Sequence, residues 1–294
     1  MTSRRSMMVG LGMLAASGAR AAPGPLAGLP AALARIEAAS GGRLGVAVLD
    51  TATGTATGHR AAERFPLTST FKLLATAAVL ARVDAGQDRL DRRIRFAASE
   101  VVVYSPATEA HAGGPGLTLA ALCEAAMVLS DNTAGNLLLG SIGGPAGIGA
   151  YARTLGDAET RLDRIEPLLN EAAPGDPRDT TTPAAMLGNL RALLLGDALA
   201  PASRERLLGW LVGNRTGDAK LRAGLPEGWR AGEKTGGGSN GTSNDVGILW
   251  PPSGRGMGQA PVLVAAYLTA TPAAPAQRDA TLAAVARAIA AAFD

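Results

Sequence analysis

The chain carries three lysines, Lys72, Lys220 and Lys234, against 25 arginines. Nearly every solvated positive charge is therefore written as arginine, and a position that keeps lysine points to a need for an amine. Arginine stays protonated under all ordinary conditions, whereas a lysine loses its proton once its surroundings lower its pKa, and then acts as a base. Lys72 lies in Ser69-Thr70-Phe71-Lys72. At the start of a helix, this i, i+3 spacing puts hydroxyl and amine on one face within reach of each other. The free N–H groups of the helix N-terminus favour a developing oxyanion. That is the chemistry of a nucleophilic serine with a base beside it. Alone, the tetrapeptide reads equally well as an N-cap serine followed by a snorkelling lysine.

Two tripeptides add to it. Ser130-Asp131-Asn132 falls at a break between two helical segments, and Lys234-Thr235-Gly236 at the end of a strand entering a glycine-rich turn. Each alone reads as a loop or a strand end. In this order, the three elements resemble the serine β-lactamase and penicillin-binding protein superfamily. A fourth stretch narrows the family: Arg164-Ile165-Glu166-Pro167-Leu168-Leu169-Asn170, followed by Arg178-Asp179-Thr180. It resembles the omega loop of class A β-lactamases, which penicillin-binding proteins lack.

The resemblance implies a role for each residue. Ser69 would be the nucleophile, its proton taken by Lys72 or, through water, by Glu166. Ser130 would pass a proton to the departing ring nitrogen. Glu166 and Asn170 would hold the hydrolytic water, because an acyl-serine ester in a closed site survives unless a base activates water. The N–H groups of Ser69 and Gly237 would form the oxyanion hole. Lys234 and Thr235 would meet the substrate carboxylate, Asn132 the acylamino side chain, and Tyr104 would line the entrance. Arg164 would pair with Asp179 to brace the loop.

The sequence also departs from the family pattern. Lys220 stands in a stretch where many relatives have an arginine that assists carboxylate binding, and the strand reading Thr242-Ser243-Asn244-Asp245 has no arginine either. Lys220 is thus a candidate second carboxylate anchor, with a solvated loop lysine as the alternative. Gly237 replaces the Ser, Thr or Ala that often follows Lys-Thr-Gly, which keeps the N–H and loses a hydroxyl. Thr68 and Gly238 stand where a carbapenemase subgroup has a bridging cysteine pair. Gly237-Gly238-Ser239-Asn240-Gly241 imitates the nucleophile elbow of α/β-hydrolases, but the turn joins two strands and both histidines lie upstream, so a hairpin explains it better.

The elements that must position these residues follow from periodicity. Helical spacing runs over Leu29 to Ser40, Ser69 to Asp84, Thr118 to Leu129, Asn132 to Ser141, Ala146 to Leu155, Pro183 to Leu195, Ala202 to Val212 and Gln277 to Phe293. Strands are expected at Leu44 to Asp50, toward Phe65-Pro66, and at Arg230 to Thr235, Thr242 to Trp250 and Pro261 to Thr271. Strands at both ends with helices between them predict an α+β fold. One antiparallel sheet is assembled from the two termini, flanked by helices, with an all-helical subdomain inserted at about residues 66–212. Residues 22–294 read as a single catalytic domain.

Length, composition and charge agree. The 294 residues are 47% hydrophobic and 18% charged with a mean hydropathy of +0.14, which excludes whole-chain disorder. The net charge of +3 is carried by Arg4, Arg5 and Arg20 within residues 1–21, so the remainder is formally neutral, and 3% aromatics offer little to stack bases on. No nucleic-acid partner is expected. Ser3-Arg4-Arg5-Ser6, an apolar run to about Ser17 and Ala19-Arg20-Ala21 read as an export signal over residues 1–21, by the twin-arginine or the Sec route. The apolar run is too short to span a bilayer. Cys123 is the only cysteine, which excludes an internal disulfide and a lipid anchor at the signal end; with His59 and His111 as the only histidines, a zinc site is not expected.

The resemblance therefore implies an exported β-lactamase, periplasmic or secreted. It would act as a monomer, without metal or organic cofactor or membrane anchor, on the β-lactam amide of penicillins and cephalosporins through an acyl-serine. Two readings compete: a peptidoglycan D,D-peptidase, which leaves the Glu166 loop unexplained, and a non-hydrolytic β-lactam sensor that acylates and stops.

Overall fold

The run Arg43–Asp50 is buried at every position after the first. A half-exposed strand would alternate; this one is covered on both faces. In the computed structural model, which describes residues 25–252 and 260–293, it is β1 of a five-stranded antiparallel sheet. With β2 (Ala56–His59), β7 (Arg230–Gly237), β8 (Ser243–Trp250) and β9 (Val262–Thr269), the order is β2-β1-β9-β8-β7. The sheet is thus assembled from both ends of the chain, as expected. The expected export signal lies outside the described residues. Among those described, no helix is long and apolar enough to cross a membrane.

Alternation within β1 sends Leu44, Val46 and Val48 to one face and Ala47 and Leu49 to the other. The first set packs with Leu29 and Leu33 of α1 (Leu29–Ser40) and with Leu282, Val285 and Ile289 of α8 (Pro275–Ala291). The second joins a larger core with α2 (Phe71–Asp84), α3 (Leu119–Val128), α4 (Asn132–Ser141), α6 (Pro183–Leu194) and α7 (Pro201–Val212), while α5 (Pro145–Thr154) adds Ile148. Helix α2 is buried continuously from Phe71 to Leu80. A helix apolar all round belongs at the centre of such a block.

Two differences from the sequence reading concern the site. Ser69 lies in a single 3-10 turn, Thr68–Thr70, ahead of α2, and β7 continues through the Lys-Thr-Gly motif to Gly237. The strand expected toward Phe65-Pro66 is two strands: β2 on the sheet edge, and β3 (Phe65–Pro66), which pairs with β6 (Thr180–Thr181) and so ties the approach to Ser69 to the end of the loop that carries Glu166. A further short pair, β4 (Arg93–Ile94) with β5 (Leu117–Thr118), leads into α3.

Candidate active site

Lys72 sits in the first turn of α2 and is wholly buried. Its Nζ donates to Ser69 Oγ at 2.9 Å, Ser130 O at 2.8 Å and Asn132 Oδ1 at 2.7 Å, and lies 2.9 Å from Glu166 Oε1. Burial pushes its pKa below the ordinary lysine value, and the carboxylate of Glu166 pulls the other way. Ser69 Oγ donates to the same Glu166 oxygen at 3.3 Å. Serine, amine and carboxylate thus form a closed triangle.

Glu166 is held from both sides of its own peptide. Its N–H donates to Asn136 Oδ1 at 2.9 Å and its carbonyl accepts from Asn136 Nδ2 at 3.0 Å. Asn170 Nδ2 donates to Glu166 Oε2, while the buried Asn170 Oδ1 has no donor among the described residues. The loop is braced beneath by Asp179, whose Oδ1 accepts the N–H groups of Asp163 and Arg164 at 2.7 and 2.9 Å and whose Oδ2 takes Arg164 Nε at 2.5 Å. Asp179 O also accepts the N–H of Leu67 at 2.8 Å, so the brace reaches the turn carrying Ser69.

On the opposite wall, Lys234 is buried in β7 and donates to Ser130 Oγ at 3.0 Å and to Thr235 O at 2.9 Å. Burial, and then the charge of Lys72, push its pKa well below the ordinary value. Thr235 Oγ1 meets Thr216 Oγ1. Asp131 caps α4 through the N–H of Ala134 and also accepts from the N–H and hydroxyl of Thr108 and the N–H of Ala107. It thereby ties the loop of Tyr104 to the helix that begins at Asn132. Asn132 N–H donates to Tyr104 O at 2.9 Å, and its Nδ2 donates to Val103 O at 2.9 Å with one amide hydrogen left over. The Tyr104 ring, on a residue 56% exposed, stands at the rim.

Lys220 differs from the expectation of a free second charge beside Lys234. Its ammonium is paired with Asp279 Oδ1 of α8 at 2.6 Å and bonded to Ser243 Oγ at the start of β8. Three positioning residues lay outside the sequence reading: Asp131, present in a motif but given no role, Asn136 and Asp279. Asn136 had a signal, since it lies one helical turn beyond Asn132; Asp279, on the far terminal helix, had none. Cys123 is buried in α3 with its thiol pushed up to about 12 by burial, which makes it inert. The Gly-x-Ser-x-Gly stretch joins β7 to β8 without a helix, as a hairpin must.

Comparison with known proteins agrees with this geometry. The model of the Beta-lactamase enzyme family matches residues 28–293. β-Lactamase CTX-M-25 of Escherichia coli is 48% identical over 256 residues, 87% of this chain and 86% of its own. β-Lactamase L2 of Stenotrophomonas maltophilia is 46% identical over 275 residues, 92% and 89% of the two chains. Among solved structures, the class A β-lactamase of the last common ancestor of Gram-negative bacteria superposes with a TM-score of 0.87 at 59% identity, covering 91% of this chain and all of that one. A putative class A enzyme from Rhodopseudomonas palustris gives 0.86 at 58%, covering 89% and 98%. With the serine, lysine and glutamate in contact and these relatives spanning nearly the whole chain, the protein belongs to the class A serine β-lactamases.

Proposed function

We propose that this β-lactamase opens the β-lactam amide of penicillins and cephalosporins with Ser69 as nucleophile, Lys72 as the base of acylation and Glu166 as the base of deacylation. The observation that carries the reading is the shared Glu166 Oε1, 2.9 Å from Lys72 Nζ and 3.3 Å from Ser69 Oγ. Lys72 gives a proton to Glu166 and, as a neutral amine, takes the proton of Ser69 as its oxygen attacks the lactam carbonyl. The depressed Lys72 pKa favours this order. The carbonyl oxygen becomes an oxyanion that the N–H groups of Ser69 and Gly237 receive. When the C–N bond breaks, Ser130 delivers its hydroxyl proton to the ring nitrogen and is reprotonated by the Lys72 ammonium, so one proton passes in net from Ser69 to the leaving group.

Glu166 returns its proton to the neutral Lys72, 2.9 Å away, and, again a carboxylate, then takes a proton from water, hydroxide adds to the ester, and the alkoxide of Ser69 leaves with that proton. The unpartnered Asn170 Oδ1 beside Glu166 suits a second contact to this water. Lys234 and Thr235 receive the substrate carboxylate, with Lys220 as an auxiliary charge offset by Asp279. The free amide hydrogen of Asn132 receives the acylamino side chain, and Tyr104 flanks it. The segment 1–21 supports export to the periplasm or the medium. A site complete within one chain supports a monomer.

The test is Glu166→Gln with a penicillin, followed by intact-protein mass spectrometry and a chromogenic cephalosporin assay. The variant should acylate more slowly, because Lys72 must then lose its proton to solvent, and hold a persistent adduct at Ser69 while the parent turns over continuously. Parental turnover by the variant overturns the assignment of Glu166, and a single stoichiometric burst from the parent would favour a sensor or a D,D-peptidase.

A further inference from the structure

Thr68, immediately before the nucleophile, has φ of 43°. This left-handed backbone is costly for a β-branched residue and is kept only where the surroundings impose it. The side chain that meets this turn is Asn244 of β8, which is wholly buried and stands opposite Gly236 in the β7–β8 register. Its Nδ2 donates to Pro66 O at 2.9 Å, Leu67 O at 3.2 Å and Thr68 Oγ1 at 3.0 Å. The Thr68 hydroxyl passes its own proton to Leu67 O at 2.8 Å, so the donors run in one direction. The two hydrogens of Nδ2 are shared among these three, and the carbonyl oxygens of Pro66 and Leu67, which only accept, settle which end of the amide is nitrogen, leaving the buried Oδ1 without a donor among the described residues. Gly236 completes the seat, because a Cβ there would stand 2.2 Å from Thr68 Oγ1 and 3.3 Å from Ser69 N.

We infer that Asn244 is a positioning residue for acylation: its side-chain amide clamps the Pro66–Thr68 turn onto β8 and so aims the Ser69 N–H at the substrate oxyanion. The inference rests on the catalytic reading above and goes beyond it. The peptide between Thr68 and Ser69 carries that N–H, so the torsions of Thr68 set its direction. Asn244 touches neither the serine hydroxyl nor the substrate. Its loss therefore leaves Lys72 and Glu166 in place and misdirects one oxyanion donor, an effect felt more in the transition state than in the bound substrate.

The experiment measures acylation alone, on the Glu166→Gln background, by stopped flow with a chromogenic cephalosporin. Asn244→Ala should slow acylation ~10–100-fold while the non-covalent substrate affinity, set by Lys234 and Thr235, changes by less than about threefold. A boronic acid that forms a tetrahedral adduct on Ser69 should weaken by the same factor as acylation. Thr68→Gly, which accepts a positive φ without a clamp, should add no loss in the Asn244→Ala background, since both changes act on one turn. If Asn244 only stabilises the fold, the melting temperature falls while acylation per folded molecule stays at the parental rate, and the inference is overturned; fully additive losses overturn it as well. Should Asn244→Ala not fold, Asn244→Ser keeps one donor and should lose ~3–10-fold in the same assay. Absence of any adduct in the Glu166→Gln chain with Asn244 intact is a separate failure, of the catalytic reading itself.

Discussion

Replacing Asp179, itself 1% exposed, with alanine removes the acceptor of two part-buried backbone donors, the N–H groups of Asp163 and Arg164. A buried donor left without a partner costs about 1–3 kcal/mol. The same change removes the charge-assisted bond to Arg164 Nε, although the guanidinium keeps Glu171 and, at 3.7 Å, Asp176 as partners. These terms overlap, and with the donors and the guanidinium only partly buried they amount to ~3–4 kcal/mol against the closed loop, below the full cost of stranding a wholly buried charge. Arg164→Ala removes the same ionic bond but leaves Asp179 with both backbone donors, which gives ~1–3 kcal/mol. The difference of about 2 kcal/mol corresponds to ~30-fold in the population of the open loop.

Two measurements on each variant test this asymmetry. Hydrogen exchange at residues 163–179 should accelerate far more in Asp179→Ala than in Arg164→Ala. The deacylation rate constant for a small penicillin, which on the proposed mechanism depends on Glu166 and therefore on the closed loop, should fall in the same order. Asp179→Asn, which keeps an oxygen for the backbone donors but turns an NH₂ toward the guanidinium, should fall between them. Equal effects, or a larger effect of Arg164→Ala, would refute the view that Asp179 acts chiefly through the backbone.

Lys72→Arg should be nearly as damaging as Lys72→Ala, both losing ~10³-fold in turnover per titrated site. A guanidinium keeps its proton and is larger than the wholly buried ammonium it would replace; an active Lys72→Arg would show that only positive potential is required. Asp279→Asn should lower KM for carboxylate-bearing penicillins by ~3–10-fold by releasing Lys220, and the gain should vanish when Lys220 is alanine. A gain that persists without Lys220 places the effect elsewhere. Burial and the neighbouring Asp245 hold the carboxyl of Glu233 up to about 9, against 4.5 for an ordinary glutamate. Between these values the native state holds a proton that the unfolded chain has released, so stability falls as pH rises from about 4.5 towards 9. Glu233→Gln should flatten that decline in melting temperature between pH 5 and 9; an unchanged slope would assign it to other groups.

Regular elements were legible because they obey short rules. The helix expected over Asn132 to Ser141 is α4 to the residue, since Asp131 is a true N-cap that bonds the N–H of Ala134. The helices expected at Leu29 and Pro183 begin there too, with proline in their first turns as that residue permits. The strand expected toward Phe65-Pro66 had no clear start, because Ala56-Thr57-Gly58-His59 of β2 carries no apolar alternation and gains strand geometry only by pairing with β1 on the sheet edge. Lys220 was legible as an exception but not as an ion pair, because its partner Asp279 lies on a helix brought alongside by the sheet.

What escaped the sequence at the site has one physical origin. Four residues there adopt positive φ without being glycine: Thr68 at 43°, Tyr104 at 64°, Ser130 at 59° and Asp179 at 56°. Glycine announces such a backbone; threonine, tyrosine, serine and aspartate do not. Each such residue carries a strain of about 1–3 kcal/mol that only tertiary contacts can offset. Those contacts come from other elements: Asn244 Nδ2 to Thr68 Oγ1, the Asn132 N–H to Tyr104 O, Lys72 Nζ to Ser130 O, and the Leu67 N–H to Asp179 O. Two of the four donors, Lys72 and Asn132, belong to the motifs from which the chemistry was read. The same groups that would move protons and hold substrate therefore also hold the strained turns in place. Truncating one of them should lose more than a single contact, because the turn it restrains is free to relax away from the reacting geometry.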